Sequence, residues 1–153
     1  MLKATLCHIR EANKILLQKK SAGRFGEGKW NAVGGKILPD ETPIEGAIRE
    51  VREETGLRVK ELQEHGYLKF YFGEESEPNW IVYVFSTYCF EGMLNPSEEG
   101  FLKWFEISEI PYQQMWEDDR YWLPHMLNGT RFNGDFFYGK NDDKLVGHEF
   151  KIL

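Results

Sequence analysis

This 153-residue chain predicts a single mixed α/β domain, for three reasons. Short runs rich in β-branched and aromatic residues recur along it, one amphipathic segment carries its own helix start and stop signals, and no repeat, low-complexity tract or linker divides it. The length suffices for one buried core and falls short of two ordinary domains. With 41% hydrophobic and 15% aromatic residues, the composition argues against disorder and leaves aromatic surface over to build a pocket.

The first strands are "LKATLCHI" and "KILLQKK", joined by the polar turn "REAN"; the glycine-containing loop "SAGRFGEGK" then leads to "WNAV" and a double glycine. In the helix that follows, Thr42 is the N-cap, Pro43 stands at the first helical position, Glu45 completes a capping box and Gly56 is the stop. Ile44, Ala47, Ile48 and Val51 follow i, i+3, i+4, i+7 and predict one stripe buried against a core. "HGYLKFYFG" and "NWIVYVFSTYCFEG" are the longest strand candidates, separated by the acidic turn "EESEP", and "FLKWFEI" is a shorter one. From Ser108 to Asn128 the chain reads as helical turns broken by Pro111 and Pro124, with Gly129 as a stop. Two closing strands, "RFNGDFFYG" and "KLVGHEFKIL", flank the turn "KNDDK".

A formal net charge of -6 and a pI near 5.3 would repel a polyanion, which argues against a nucleic acid polymer or an acidic membrane surface as partner. Any phosphate must be met by a local site or a cation. Cys7 and Cys89 lack metal-like spacing and read as buried thiols in a reducing compartment. No stretch approaches 18 apolar residues, and "MLKATLCHIREANK" lacks the hydrophobic block of a signal peptide, so the expectation is a soluble, cytoplasmic monomer.

Three glutamates give the helix its chemical interest. At 100° per residue Glu50, Glu53 and Glu54 fall within about 100° of one another, on a flank beside the apolar stripe, while Glu45, Arg49 and Arg52 take the more exposed side. Like charges at these spacings cost roughly 0.2 to 0.5 kcal/mol per pair unless something offsets them. A solvated acidic face laced to Arg49 and Arg52 is one solution; a hard divalent cation is the other, and oxygen-only ligands point to Mg²⁺, with Mn²⁺ as a substitute. The histidines, His8, His65, His125 and His148, show no ligand spacing and read as structural or surface residues.

From Gly35 the chain runs glycine, five residues, Glu41, seven residues, Arg49-Glu50-Val51, one residue, Glu53-Glu54, one residue, Gly56-Leu57. That pattern resembles a complete Nudix box. The resemblance implies an α/β/α sandwich with a mixed central β-sheet and a Mg²⁺-dependent cleavage of a nucleoside diphosphate linked to another group. It assigns Glu50, Glu53 and Glu54 to the metal, with Glu53 and Glu54 the firmest, Arg49 orienting them, and Glu41 with Gly34, Gly35 and Lys36 shaping the loop. Gly35 joins the metal-site residues, and Glu99 in "NPSEEGFLKWF" aligns as the further metal or base glutamate from a distant loop.

The likeness extends beyond the box. "RFGEGKWNAVGGK" and "IPYQQMWEDDRYWLP" resemble the animal-type MutT homologues that hydrolyse oxidised purine nucleoside triphosphates such as 8-oxo-dGTP and 2-hydroxy-dATP. That similarity implies a base site of Asn31, Trp116, Asp118 and Asp119, with Phe25, Phe70 or Phe72 as apolar pocket positions and Leu6 as a weaker match. Trp116 or Phe25 can stack on a purine, Asn31 offers donor and acceptor, and two adjacent aspartates in a partly apolar site repel until one stays protonated and donates. Lys20, Arg24 and Lys36 are candidate phosphate partners. Glu117, Trp80 and Val33 depart from that family's pattern and bear on base preference. Two other readings stay open: the same chemistry on another nucleoside triphosphate, a dinucleoside polyphosphate or a nucleotide sugar, and a non-catalytic nucleotide-binding regulator.

Overall fold

The computed structural model describes residues 1–73, 76–140 and 143–153. Eleven strands occur among them: β1 (Leu2–Glu11), β2 (Lys14–Lys20), β3 (Trp30–Asn31), β4 (Val33–Lys36), β5 (Arg58–Lys60), β6 (Gln63–Phe72), β7 (Trp80–Thr87), β8 (Cys89–Glu91), β9 (Gly100–Glu106), β10 (Phe132–Tyr138) and β11 (Leu145–Ile152). Helix α1 (Pro43–Thr55) precedes β5, and helix α2 (Asp119–Leu127) precedes β10 after two single 3₁₀ turns. The turns "EESEP" and "KNDDK" lie partly outside the described residues.

The main sheet is mixed and runs β11-β10-β6-β7-β1-β2-β3, with β4 also paired to β1 and β9 to β2. β1 lies parallel to β7 and β10 parallel to β6, whereas the β1–β2, β6–β7 and β10–β11 pairs are antiparallel. Alternation along the strands sends side chains to two cores. Ile15 and Leu17 of β2 join Leu68, Val84, Phe132, Phe136 and the α2 residues Trp122, Leu123 and Met126. Leu16 faces the other way, with Cys7, Ile9, Phe85 and the α1 residues Ala47 and Val51. A helix therefore covers each side of the sheet, which is the α/β/α sandwich that the Nudix resemblance implies.

Helix α1 begins and ends as its sequence specifies. Thr42 accepts from the Glu45 amide, Glu45 accepts from the Thr42 amide, and Gly56 takes a left-handed conformation at φ 79°. Its buried stripe differs from the prediction: Ala47 and Val51 are buried, but Ile44 and Ile48 are exposed at 42% and 37%, and Glu54 and Thr55 are buried instead. Ile37 and Glu41 of the loop before the helix lie against Gly46, and the buried face of the helix is centred about 60° toward that side of the predicted stripe. As a result the three glutamates share no common environment.

Pro124 lies inside α2 and does not break it. Pro124 is the sixth of nine residues, so it removes a single helical amide bond, and it is exposed while Trp122, Leu123 and Met126 anchor the segment in the core. The three-residue strand β5, unforeseen in the sequence, pairs with β8, which Tyr88 separates from β7. Cys7 is fully buried as expected, whereas Cys89 is only half-buried.

Candidate active site

A double glycine brings α1 against the sheet. At Gly34 a Cβ would stand 1.9 Å from the Thr5 carbonyl oxygen, so only glycine lets β4 pair with β1 there; at Gly35 it would stand 2.5 Å from the Glu50 carboxyl carbon and would displace that carboxylate. Arg49 then ties the helix to the preceding loop. Its guanidinium donates to both Glu41 oxygens at 2.5 and 2.9 Å, to the Lys36 carbonyl at 3.0 Å, to Glu50 at 2.9 Å and to Glu53 at 3.1 Å. The Arg49 contact holds the Glu41 carboxyl below the usual carboxylate range.

Glu54 is 4% exposed, and its carboxylate accepts from the Gly34 amide at 3.1 Å and lies 3.8 Å from the Lys20 ammonium. Lys20 also reaches Glu99 at 3.6 Å, and Arg24 reaches Glu99 at 3.1 Å. Burial above all, with Glu50 and Glu99 nearby, pushes the Glu54 carboxyl up to about 8 despite Lys20; burial likewise raises Glu50. Among the described residues no three His, Cys, Asp or Glu side chains converge into a ready-made metal cage. Cationic side chains stand between the carboxylates. Even so the donors fit a hard divalent ion: they are oxygen-only, partly desolvated and mutually repelling, and a cation would relieve each of those costs.

The other end of the same cavity is aromatic. Phe25, Phe70, Phe72, Trp80, Trp116 and Tyr138 line it together with Asn31, Asp118 and Asp119. Asp118 is buried and accepts on both oxygens, from Tyr138 at 2.5 Å and from the Trp122 indole at 2.7 Å. Asp119 is buried beside it, and burial together with the Asp118 charge raises its carboxyl well above the usual range. The Asn31 side-chain oxygen accepts from the Ala32 amide at 2.8 Å, which fixes the orientation of the side chain and leaves its amide nitrogen to donate elsewhere.

These groups share one cavity of about 520 Å³. It gathers Leu6, Lys20, Arg24, Phe25, Asn31, Gly34, Gly35, Lys36, Glu50, Glu54, Phe70, Phe72, Glu99, Trp116, Asp118 and Asp119. Glu53 and Arg49 do not line it. The Glu53 side chain is 59% exposed and lies with Arg49 along a separate shallow groove on α1. Sequence reading missed Trp122 and Tyr138 as the groups that hold Asp118. Trp122 stands at i+4 from Asp118, a spacing visible in the sequence, whereas Tyr138 arrives from β10 with no local signal.

The pattern that defines the NUDIX domain matches residues 2–126, and the chain belongs to that family. It is 41% identical over 145 residues to a zebrafish (Danio rerio) protein named oxidized purine nucleoside triphosphate hydrolase, covering 95% of this chain and 91% of the relative. A mouse (Mus musculus) protein of the same name is 38% identical over 141 residues, covering 92% and 89%. Among solved structures, a MutT protein of Bacillus halodurans superposes with a TM-score of 0.88 at 27% identity, covering 99% of this chain and 98% of that one. The protein is thus a Nudix hydrolase, and hydrolases of this family generally need a divalent metal.

Proposed function

We propose that the protein is a Mg²⁺-dependent pyrophosphohydrolase that converts oxidised purine nucleoside triphosphates, 8-oxo-dGTP and 2-hydroxy-dATP, with one water into the monophosphate and pyrophosphate. The observation that carries this reading is one cavity with carboxylates at one end and stacking rings with two adjacent buried aspartates at the other. The names of the zebrafish and mouse relatives support the substrate class. The whole chain acts as one catalytic unit in this reading, in keeping with a likeness to the Bacillus halodurans structure that covers 99% of it.

Glu50, Glu54, Glu99 and the Gly35 carbonyl would hold the divalent ion from within the cavity, and Glu53, exposed outside it and tied to Glu50 through Arg49, would turn inward to join them. A divalent ion supplies a nucleophilic hydroxide near neutral pH and neutralises charge on the phosphates. Lys20, Arg24 and Lys36 meet the phosphate oxygens. At the far end Trp116 stacks on the base, the Asn31 amide donates to a purine oxygen, and protonated Asp119 donates while Asp118 stays engaged by Tyr138 and Trp122.

The test is release of pyrophosphate and monophosphate from 8-oxo-dGTP, 2-hydroxy-dATP, dGTP, dATP and a dinucleoside polyphosphate with Mg²⁺. Preference for the oxidised purines is expected. Turnover without that preference would discard the substrate and keep the hydrolase, and metal-dependent turnover excludes a purely regulatory role.

A further inference from the structure

Trp80 opens β7 opposite Leu2 of β1 and stands in the cavity wall. The Phe25 ring is stacked on Trp116 at 5.3 Å and 19° and on Trp80 at 6.4 Å and 27°, with Phe72 meeting it edge-on at 6.2 Å. One flat ring is therefore already accommodated in stacked contact with both tryptophans. Trp116 is held in its own place by the Lys29 ammonium over its ring at 5.2 Å and by Tyr138 edge-on at 5.5 Å. Phe25, in contrast, is 65% exposed. Its loop is open around Gly23 and Gly28, where a side chain would meet nothing within 4 Å, and touches the cavity wall at Gly26, beside the Trp116 indole; Phe25 can therefore yield by turning its exposed side chain while the backbone stays in place.

We infer that Trp80 is a specificity-determining residue: with Trp116 it walls an aromatic slot that selects a bicyclic purine over a single-ring pyrimidine. The inference rests on the reading of this cavity as a nucleotide site. An indole presents two fused rings, and stacking strengthens with the flat area that overlaps. A purine covers both rings and a pyrimidine covers one, so a second indole wall adds to the difference between the two classes.

The experiment measures affinity for the product-like probes 8-oxo-dGMP and dCMP by calorimetry without divalent ion, for the intact chain and for Trp80→Leu and Trp80→Phe. Trp80→Leu is expected to weaken 8-oxo-dGMP about tenfold, within the range of one lost stacking partner, and dCMP much less, with Trp80→Phe restoring most of the loss. In steady-state assays with Mg²⁺ the loss in kcat/KM for 8-oxo-dGTP should come mainly through KM. Unchanged 8-oxo-dGMP affinity in Trp80→Leu, or an equal loss for both probes, overturns the assignment while leaving the substrate reading in place. Equal affinity of the unaltered protein for 8-oxo-dGMP and dCMP overturns both.

Discussion

Asp119 is a buried carboxyl beside a second carboxyl, and that environment should be readable in stability. Burial and the Asp118 charge raise its titration in the folded protein. The unfolded chain loses this proton near pH 4, while the folded protein keeps it, so the folded state binds the extra proton as pH rises. The contribution is present below the unfolded value and is lost as pH climbs through the folded one. Asp119→Asn removes it. The melting temperature of the variant minus that of the unaltered protein should be small at pH 4 and widen toward pH 8; Asp118 keeps some slope in both proteins. A difference that stays constant across this range would mean that Asp119 ionises normally, and the donor role assigned to it at the base edge would go with it.

At the scale of elements, β2 and α1 carry opposing lessons. Gln18 of β2 is fully buried, and among the described residues neither its amide oxygen nor its nitrogen has a hydrogen-bond partner. An unpaired buried amide costs roughly 1 to 3 kcal/mol, so Gln18→Leu should stabilise the fold by about 1 kcal/mol, seen as a melting temperature a few degrees higher. A lower melting temperature would mean that the amide is satisfied in solution. Arg49, by contrast, spans Glu41, the Lys36 carbonyl, Glu50 and Glu53 from one planar fork. Lysine keeps the charge but lacks the fork, so Arg49→Lys should lose about tenfold or more in kcat and bind Mn²⁺ more weakly by titration; activity near that of the unaltered protein would remove Arg49 as the organiser. Much of this architecture was legible in the sequence: the capping box and Gly56 fixed both ends of α1, and aromatic runs located β6, β7 and β10. What stayed hidden depends on distant packing. Ile44 and Ile48 fit the helical period but lost the core to Glu54, because the helix buries the face centred nearer Gly46, against which Ile37 and Glu41 lie. β5 contributes one buried residue, Val59, and three residues carry too little periodicity to read.

Across the whole molecule, the cavity draws its two ends from two cores. The carboxylates depend on α1 and the core of Ala47 and Val51, while the Asp118–Asp119 edge depends on α2 and the core of Trp122 and Phe132. The glutamate pattern announced the first end because its residues lie on one helix; the second was legible only through likeness, since Tyr138 reaches Asp118 from a strand that follows α2. Separate supports imply separable failures. Glu54→Gln keeps the side-chain shape but removes a carboxylate at the metal end, so hydrolysis of 8-oxo-dGTP should fall by at least about 100-fold. Affinity for 8-oxo-dGMP without divalent ion should stay within about twofold, because among the described residues Glu54 pairs with Gly34 and Lys20 rather than with the base-end groups, and sites without shared partners act additively. The melting temperature should change by only a few degrees, since the Gly34 amide can still donate to the remaining side-chain oxygen. If monophosphate binding collapsed together with hydrolysis while the fold persisted, the two ends would be coupled through β1 to β4, and the division of the cavity into a metal half and a base half would have to be abandoned.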